Sequence, residues 1–437
     1  MSSPIDLALL PRSATVAGGR MAVGGCDLEQ LADRFGTPLV VYDESELRSR
    51  CGEYRAAFGD GNVAFAGKAF LCIAMARLVA DEGLHLDVAT GGELHTATRA
   101  GFPPERLVFH GNNKSEDELR GALEAGVGRV VVDSFDELDR IEALVDDGLD
   151  APGVLVRVTP GVEAHTHEYI ETGTEDSKFG FGVGADVALD AAVRASESAA
   201  MRFLGLHSHI GSQVWNLTSY ARALDVVTNL ASRVGERTGA TVGELNVGGG
   251  LGIAYHAGDA APTIGEFAAA VRDAFARSCR AARLDPAPRL MVEPGRSIAG
   301  PAGLTLYRVG TIKHIPDVRT YVAVDGGMSD NPRPVMYGAR YEAFVPARAE
   351  APRPFVATVA GKHCEQGDLL VRDAALPEDV EVGDVLAIPS TGAYGYSMAS
   401  NYNRLPRPAV VFVRDGEARV VVRRESLDDV VRLDEAG

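Results

Sequence analysis

From about residue 60 to 295, short apolar and β-branched runs alternate with longer stretches whose apolar positions recur at helical spacing. That alternation predicts βα units and a parallel sheet. The predicted strands are NVAFA (62 to 66), HLDVA (85 to 89), LVFH (107 to 110), RVVVD (129 to 133), GVLVRV (153 to 158), FLGLHSH (203 to 209), ELNVG (244 to 248) and RLMVE (289 to 293). Eight in series predict a closed (β/α)8 barrel. An open doubly wound sheet is the alternative, because strand count alone does not prove closure. Ser115 with Glu118, and Ser134 with Glu137, fit the capping box and mark helix starts.

After Pro294 the pattern changes to strand-like runs without long helices: LTLYRVGTI, TYVAVDGG, PFVATVA, VLAIP, AVVFV and ARVVVRR. These predict a second, all-β domain over 297–437. The run TVAGGRMAVGG (15 to 25) also reads as strand and turn, so residues 1–40 are expected to pair with that domain rather than with the barrel, which occupies 41–296. No internal repeat or low-complexity segment is present.

Composition narrows the classes. A chain of 437 residues with 46% hydrophobic and 24% charged content can bury sizeable cores, which excludes disorder. Its net charge of -18 has no basic stripe to pair with a phosphate backbone, so no nucleic-acid partner is expected. No run approaches a membrane span and no signal peptide opens the chain; a cytoplasmic location is expected. Cys26, Cys51, Cys72, Cys279 and Cys364 are scattered, without CxxC pairs, which suits a reducing compartment and neither disulfides nor zinc.

In a (β/α)8 enzyme the chemistry lies at the C-terminal ends of the strands, and the unusual polar residues collect there. Lys68 follows the first strand and Asp87 ends the second; His110, Gly111 and Asn112 follow the third. His207 and His209 end the sixth, Gly248, Gly249 and Gly250 the seventh, and Glu293, Pro294, Gly295 and Arg296 the eighth. Lys68 is one of only five lysines. A desolvated lysine there offers a free amine for condensation with an aldehyde; taken alone, it reads better as a snorkelling surface residue. NVGGGLG lacks dinucleotide spacing, since Ile253 stands where a glycine is needed. It suits an anion nest, or equally a tight turn needing positive φ.

Glu293 could pair with Arg296, or keep a pyridine nitrogen protonated. His209 suits either a satisfied core histidine or a flat ring beside a flat cofactor. His165 and His167 read as a polar loop, since no third metal ligand is evident. Cys364, between His363 and Glu365, sits in a polar setting where a thiol could donate a proton, and Tyr394 lies in a glycine-rich loop.

Taken in order, FAGKAF, DVATGGEL, HGNNKS, EDSKFGFG, GLHSHIGSQ, NVGGGLG, EPGRSI, DGGMSDNPRPVMY, GKHCEQGD and GAYGYSMASNYN closely resemble the diaminopimelate decarboxylase family, whose fold is shared with eukaryotic ornithine decarboxylase and alanine racemase. The resemblance runs along nearly the whole chain. It implies a barrel binding pyridoxal phosphate, a β domain completed by the N-terminal segment, and a homodimer with shared sites. Lys68 takes the Schiff-base position, His209 the ring-stacking position, and Ser212 with Gly248, Gly249 and Gly250 the phosphate site. Glu293 takes the pyridine-nitrogen position; Asp87 and Gly295 are counted with the cofactor site. Arg296 falls near phosphate and substrate carboxylate. Arg333 and Tyr337 match substrate positions, Cys364 the proton donor, and Glu365 a substrate contact, while Tyr394 lies by both cofactor and substrate. Phe70, where many relatives have asparagine, is the one departure.

The activity implied is decarboxylation of meso-diaminopimelate to L-lysine. Rivals are a sister decarboxylase acting on ornithine, arginine or a secondary-metabolite amino acid, and an inactive pyridoxal-phosphate-binding relative. Arg333 and Glu365 disfavour the first: a diamine precursor has no distal carboxylate to pair with arginine, and ornithine-type members resemble one another in carrying aspartate at the Glu365 position. Retained Lys68, Cys364 and Glu293 disfavour the second. A racemase would lack CEQGD.

Overall fold

The computed structural model describes residues 4–162 and 177–435, and these fall into two compact units. One comprises residues 51–252 and 261–297; the other comprises 1–50, 253–260 and 298–437. His165 and His167 lie outside the described residues.

Among the described residues the first unit carries eight barrel strands, β1 (Ala64–Ala66), β2 (His85–Val88), β3 (Leu107–Phe109), β4 (Arg129–Val132), β5 (Gly153–Thr159), β6 (Arg202–Ser208), β7 (Glu244–Asn246) and β8 (Arg289–Met291), all parallel, with the two residues Phe181–Gly182 pairing beside β5. They pair in sequence order, and a parallel bridge between Val63 and Val292 joins the last to the first. Ala64 N–H donates to Val292 O at 2.9 Å and Ala66 N–H to Pro294 O at 3.0 Å. The sheet is therefore a barrel and not an open sheet. Ala64, Val108, Val131 and Leu155 pack together although they come from strands that are not all adjacent, which only the interior of a closed barrel allows. Val130, Val132, Val154 and Val156 face the other way, onto the surrounding helices.

Local chemistry sets the helix starts. Ser115 makes a full capping box with Glu118. At Ser134 the box is half made: Ser134 accepts from Glu137 N–H, but the Glu137 carboxylate accepts from Lys114 Nζ at 2.6 Å and from Asp133 N–H at 3.0 Å. Neutralising the fully buried Lys114 outweighs a cap. A third box, Thr263 with Glu266, escaped the sequence reading.

In the second unit the main sheet contains β9 (Gly303–Ile315), β10 (Arg319–Val324), β11 (Phe355–Ala360), β12 (Leu369–Leu376), β13 (Val385–Ile388), β14 (Ala409–Arg414) and β15 (Glu417–Val422). The N-terminal segment completes this unit, but the strand entering the main sheet is Leu39–Asp43, not the 15 to 25 run. Leu39–Asp43 lies between β9, antiparallel, and β14, parallel. All five of its residues are buried, as expected where both faces are covered. Residues 15 to 27 form a small sheet of their own, with Met21 and Val23 in a core shared with Leu39, Val41 and Leu304. β12 was not anticipated from the sequence.

His85, at the start of β2, gives the barrel a pH dependence. Burial, reinforced by Arg129 and Arg289, pushes its pKa down to about 4. The unfolded imidazole titrates near 6.5, so above that pH both states are neutral and stability is unaffected. As pH falls from 6.5 towards 4, the unfolded chain takes up a proton that the folded chain refuses, and stability is lost, by up to about 3 kcal/mol. His85→Gln should flatten the fall of the urea midpoint between pH 7 and pH 4.5; an unchanged slope would remove His85 from the account.

Candidate active site

Side chains alternate along a strand, so a residue two places beyond an inward apolar residue also faces inward. On β3, β4 and β5 that step goes from Val108 to His110, Val131 to Asp133 and Leu155 to Arg157, all of them buried. On β6 a bulge between Phe203 and Gly205 resets the phase. A side chain at Gly205 would meet Glu244 O at 1.9 Å, so the bulge requires glycine. The barrel is thus apolar at mid-height and polar towards its C-terminal mouth.

Glu293 is the centre of that polar layer. Its Oε1 accepts from His110 Nε2 at 2.9 Å and Asn246 Nδ2 at 2.8 Å, and its Oε2 from His207 Nε2 at 3.0 Å. Burial would raise this carboxyl, but His110 and His207 hold it well below the usual carboxylate range. Burial also pushes His207 down to about 4, so at neutral pH His207 acts as an N–H donor rather than a countercharge. Three N–H donors are enough to keep the carboxylate ionised. A carboxylate has about four acceptor positions, so one remains, on Oε2. His110, His207 and Glu293 place three ligand-type atoms within 4.8 Å, but both Nε2 atoms are engaged with the carboxylate.

Lys68 lies on the single turn Gly67–Ala69 that follows β1, with its half-exposed amine 3.3 Å from buried Asp87 Oδ2. His209 is kept well below the ordinary histidine pKa by desolvation and then by the Lys68 charge, so its ring is neutral. Gly249 N–H donates to His209 Nδ1 at 3.3 Å. A Cβ at Gly248 would come within 2.7 Å of that nitrogen, and one at Gly250 within 2.4 Å of Gly211 O. Both glycines have positive φ, 68° and 112°. Val214 N–H donates to Gly250 O at 2.8 Å and Tyr220 OH to Gly249 O at 2.8 Å, fixing the glycine loop against the segment that carries Ser212. Arg296, nearly buried, donates to Ser212 Oγ from Nε at 3.2 Å and Nη2 at 2.7 Å. Gly295 packs against Ala66 and Ala69, leaving no room for a side chain. Phe70 is fully buried and belongs to the core.

The β unit brings a second group together. Arg333 and Tyr337 bound the short helix Arg333–Tyr337. Arg333 is 5% exposed; its guanidinium lies 4.4 Å from the Tyr255 ring centroid and 5.5 Å from that of Tyr341, and Nη1 donates to Tyr341 OH. Its Nε is buried without a partner, and among the described residues no carboxylate pairs with it. Burial opposes the charge, but Tyr255, Tyr341 and Tyr394 raise the pKa further above its ordinary value.

The GKHCEQGD loop hangs on Asp368, whose Oδ2 accepts from His363 N–H and Nδ1, both at 2.9 Å, and whose Oδ1 accepts from Met328 N–H at 2.7 Å. A Cβ at Gly361 would sit 2.1 Å from Asp368 Oδ2. His363 is buried under the parallel ring of Tyr402, centroids 5.5 Å apart. The next two residues, Cys364 and Glu365, are exposed, and Asn403 Oδ1 anchors Cys364 N–H at 2.9 Å. All five cysteines are free.

Residues 44–300 match the family described as pyridoxal-dependent decarboxylase, pyridoxal binding domain. The diaminopimelate decarboxylase of Mycobacterium tuberculosis (strain H37Rv) is 48% identical over 426 residues, 95% of each chain. That of Bacillus subtilis is 47% identical over 420 residues, again 95% of each. Among solved structures, diaminopimelate decarboxylase from M. jannaschii in complex with L-lysine aligns with a TM-score of 0.90 and 34% identity over 98% of both chains. The chain belongs to the diaminopimelate decarboxylase family.

The barrel mouth fits pyridoxal phosphate. It offers an accessible amine on Lys68, an ionised Glu293 with one acceptor position left, and a side-chain-free glycine loop near Ser212 and Arg296. Other members of the site were not assigned from sequence. His110 and His207 were noted at strand ends without a role, and Asn246 and Arg157 were passed over; the two-residue step from apolar to polar on β3 to β5 was the available signal. Tyr255 and Tyr341 carried none, because neither adjoins Arg333 along the chain.

Proposed function

We propose that the chain removes CO2 from meso-diaminopimelate to give L-lysine, using pyridoxal phosphate. Arg333 carries the reading. A buried guanidinium without a protein carboxylate is costly, and its Nε and Nη2 lack partners among the described residues. Those two N–H groups form one of the edges with which arginine grips a carboxylate in a fork. meso-Diaminopimelate carries a second carboxylate for that edge; ornithine does not. L-Lysine, bound by the M. jannaschii relative, keeps that carboxylate.

Pyridoxal phosphate, when bound, supplies an aldehyde that condenses with amines and a ring that accepts the electron pair left by a departing carboxylate. Lys68 is the amine that holds it until substrate arrives, with Asp87 as its counter-charge. Ser212, Arg296 and the glycine loop would hold the phosphate, with Gly248 N–H already given to Asn246 Oδ1 and Gly249 N–H to His209 Nδ1. His209 would lie beside the ring, and the open position on Glu293 Oε2 would accept from the ring nitrogen and hold its proton there. Arg333, with Tyr337, Glu365 and Tyr394 around the substrate, fixes which end of it reacts. Cys364 delivers a proton to the carbon that has lost CO2.

We also propose a cytoplasmic homodimer in which Lys68 comes from one chain and Cys364 and Glu365 from the other. The support is the family resemblance, the free cysteines, and the described residues, in which no helix is long and apolar enough to cross a membrane. Purified protein supplied with pyridoxal phosphate should release CO2 from meso-diaminopimelate at least tenfold faster, as kcat/KM, than from L-ornithine or L-arginine. A preference for either diamine precursor sinks the substrate assignment, and absence of CO2 from all three sinks the activity.

A further inference from the structure

Arg333 is aimed as well as buried. The Tyr255 ring supports one face of its guanidinium at 4.4 Å, and Tyr341 OH takes Nη1. The two rings brace each other edge to face, with centroids 5.2 Å apart and planes at 80°. Both tyrosines are 5% exposed, and both pack into the core that holds Tyr307, Val309 and Leu386. A guanidinium held in this way cannot leave its place without losing the ring contact and the hydrogen bond together.

We infer that Tyr255 and Tyr341 are positioning residues that fix Arg333 with its Nε and Nη2 edge presented, and so set the selectivity for a substrate carrying a second carboxylate. Neither tyrosine need touch the reacting atoms. Their contribution is to binding of the distal carboxylate, which substrate and product share, so it is felt in KM and in product affinity and not in the chemical step. Tyr255 works through its ring face, and phenylalanine should replace it; Tyr341 works through its hydroxyl, and phenylalanine should not.

The inference rests on Arg333 gripping the distal carboxylate, so Arg333→Lys is run alongside. Holoenzyme carrying Tyr255→Leu should show a KM for meso-diaminopimelate raised roughly tenfold. Tyr341→Phe should raise it roughly tenfold as well, as expected for a lost hydrogen bond to a charged group. In both, kcat should stay within about twofold and the cofactor's visible spectrum should be unchanged, while Tyr255→Phe restores KM to within about twofold of the parent. Calorimetric titration with L-lysine should show Kd rising by the same factor as KM, a readout that does not depend on turnover. If Tyr255→Leu does not fold, Tyr341→Phe decides alone. KM and lysine Kd unchanged in Tyr341→Phe overturn the inference, as does loss confined to kcat. If Arg333→Lys is impaired while the tyrosine variants are not, the positioning role is wrong and the proposed function stands; if Arg333→Lys is also silent, the distal-carboxylate reading has failed.

Discussion

Lys68→Ala protein is expected to lose the visible absorbance of the lysine-bound cofactor and at least about a thousandfold of its activity, as when the reacting group of a covalent catalyst is removed. The reason is positional. Among the described lysines, Lys68 alone stands at the barrel mouth on the turn after β1, with Asp87 at 3.3 Å. Lys114, the next in sequence, is fully buried and committed to Gly111 O, Val131 O and Glu137. Borohydride reduction of the holoenzyme followed by peptide mapping should label Lys68, and a stable label on another lysine would remove it from the mechanism. The fold should survive, because a half-exposed side chain on a one-turn helix contributes little to a core. The same variant tests the shared site: mixed with Cys364→Ala chains, it should recover part of the activity in verified heterodimers, and no recovery argues for sites built within one chain.

Arg333→Lys should lower kcat/KM on meso-diaminopimelate about a hundredfold, within the roughly 2 to 5 kcal/mol attached to breaking a buried charged pair. Lysine keeps the charge but presents a point where the substrate meets a planar fork, and it forfeits the stacking on Tyr255. The visible spectrum of the cofactor should be unchanged, because Lys68, the amine proposed to hold it, belongs to the barrel unit and Arg333 to the β unit. A variant with nearly full kcat/KM would move the distal carboxylate to another residue and strengthen the ornithine-type alternative.

Most barrel strands were legible because a β-branched run bounded by turn residues is a local signal. Leu39–Asp43 was not read as a strand, since it stands before the repeating strand-and-helix pattern and its partners, β9 and β14, lie far along the chain. β12 was missed for another reason: Leu369–Leu376 mixes exposed and buried positions out of phase, its pairing with β11 shifts register, and Asp373 adopts φ 52°. The residues proposed for the reaction were visible as motifs, because each lies in a short run of distinctive sequence. Their supports were not: that His110, His207 and Asn246 converge on Glu293 depends on barrel closure, which no local window contains.

The place of Leu39–Asp43 in the middle of the β sheet bears on how the chain is made. Cα register pairs Leu39 with Leu306 and with Ala409, so a strand synthesised early waits for partners synthesised late. The barrel unit, whose last residue is Ser297, has all its strands before either partner emerges. Leu39–Asp43 spends that interval as an unpaired apolar ribbon, the kind of segment that seeds intermolecular pairing. Nascent chains stalled before residue 409 should therefore depend on chaperones far more than the finished protein does, and C-terminal truncations reaching β14 should aggregate although every residue of the barrel is present.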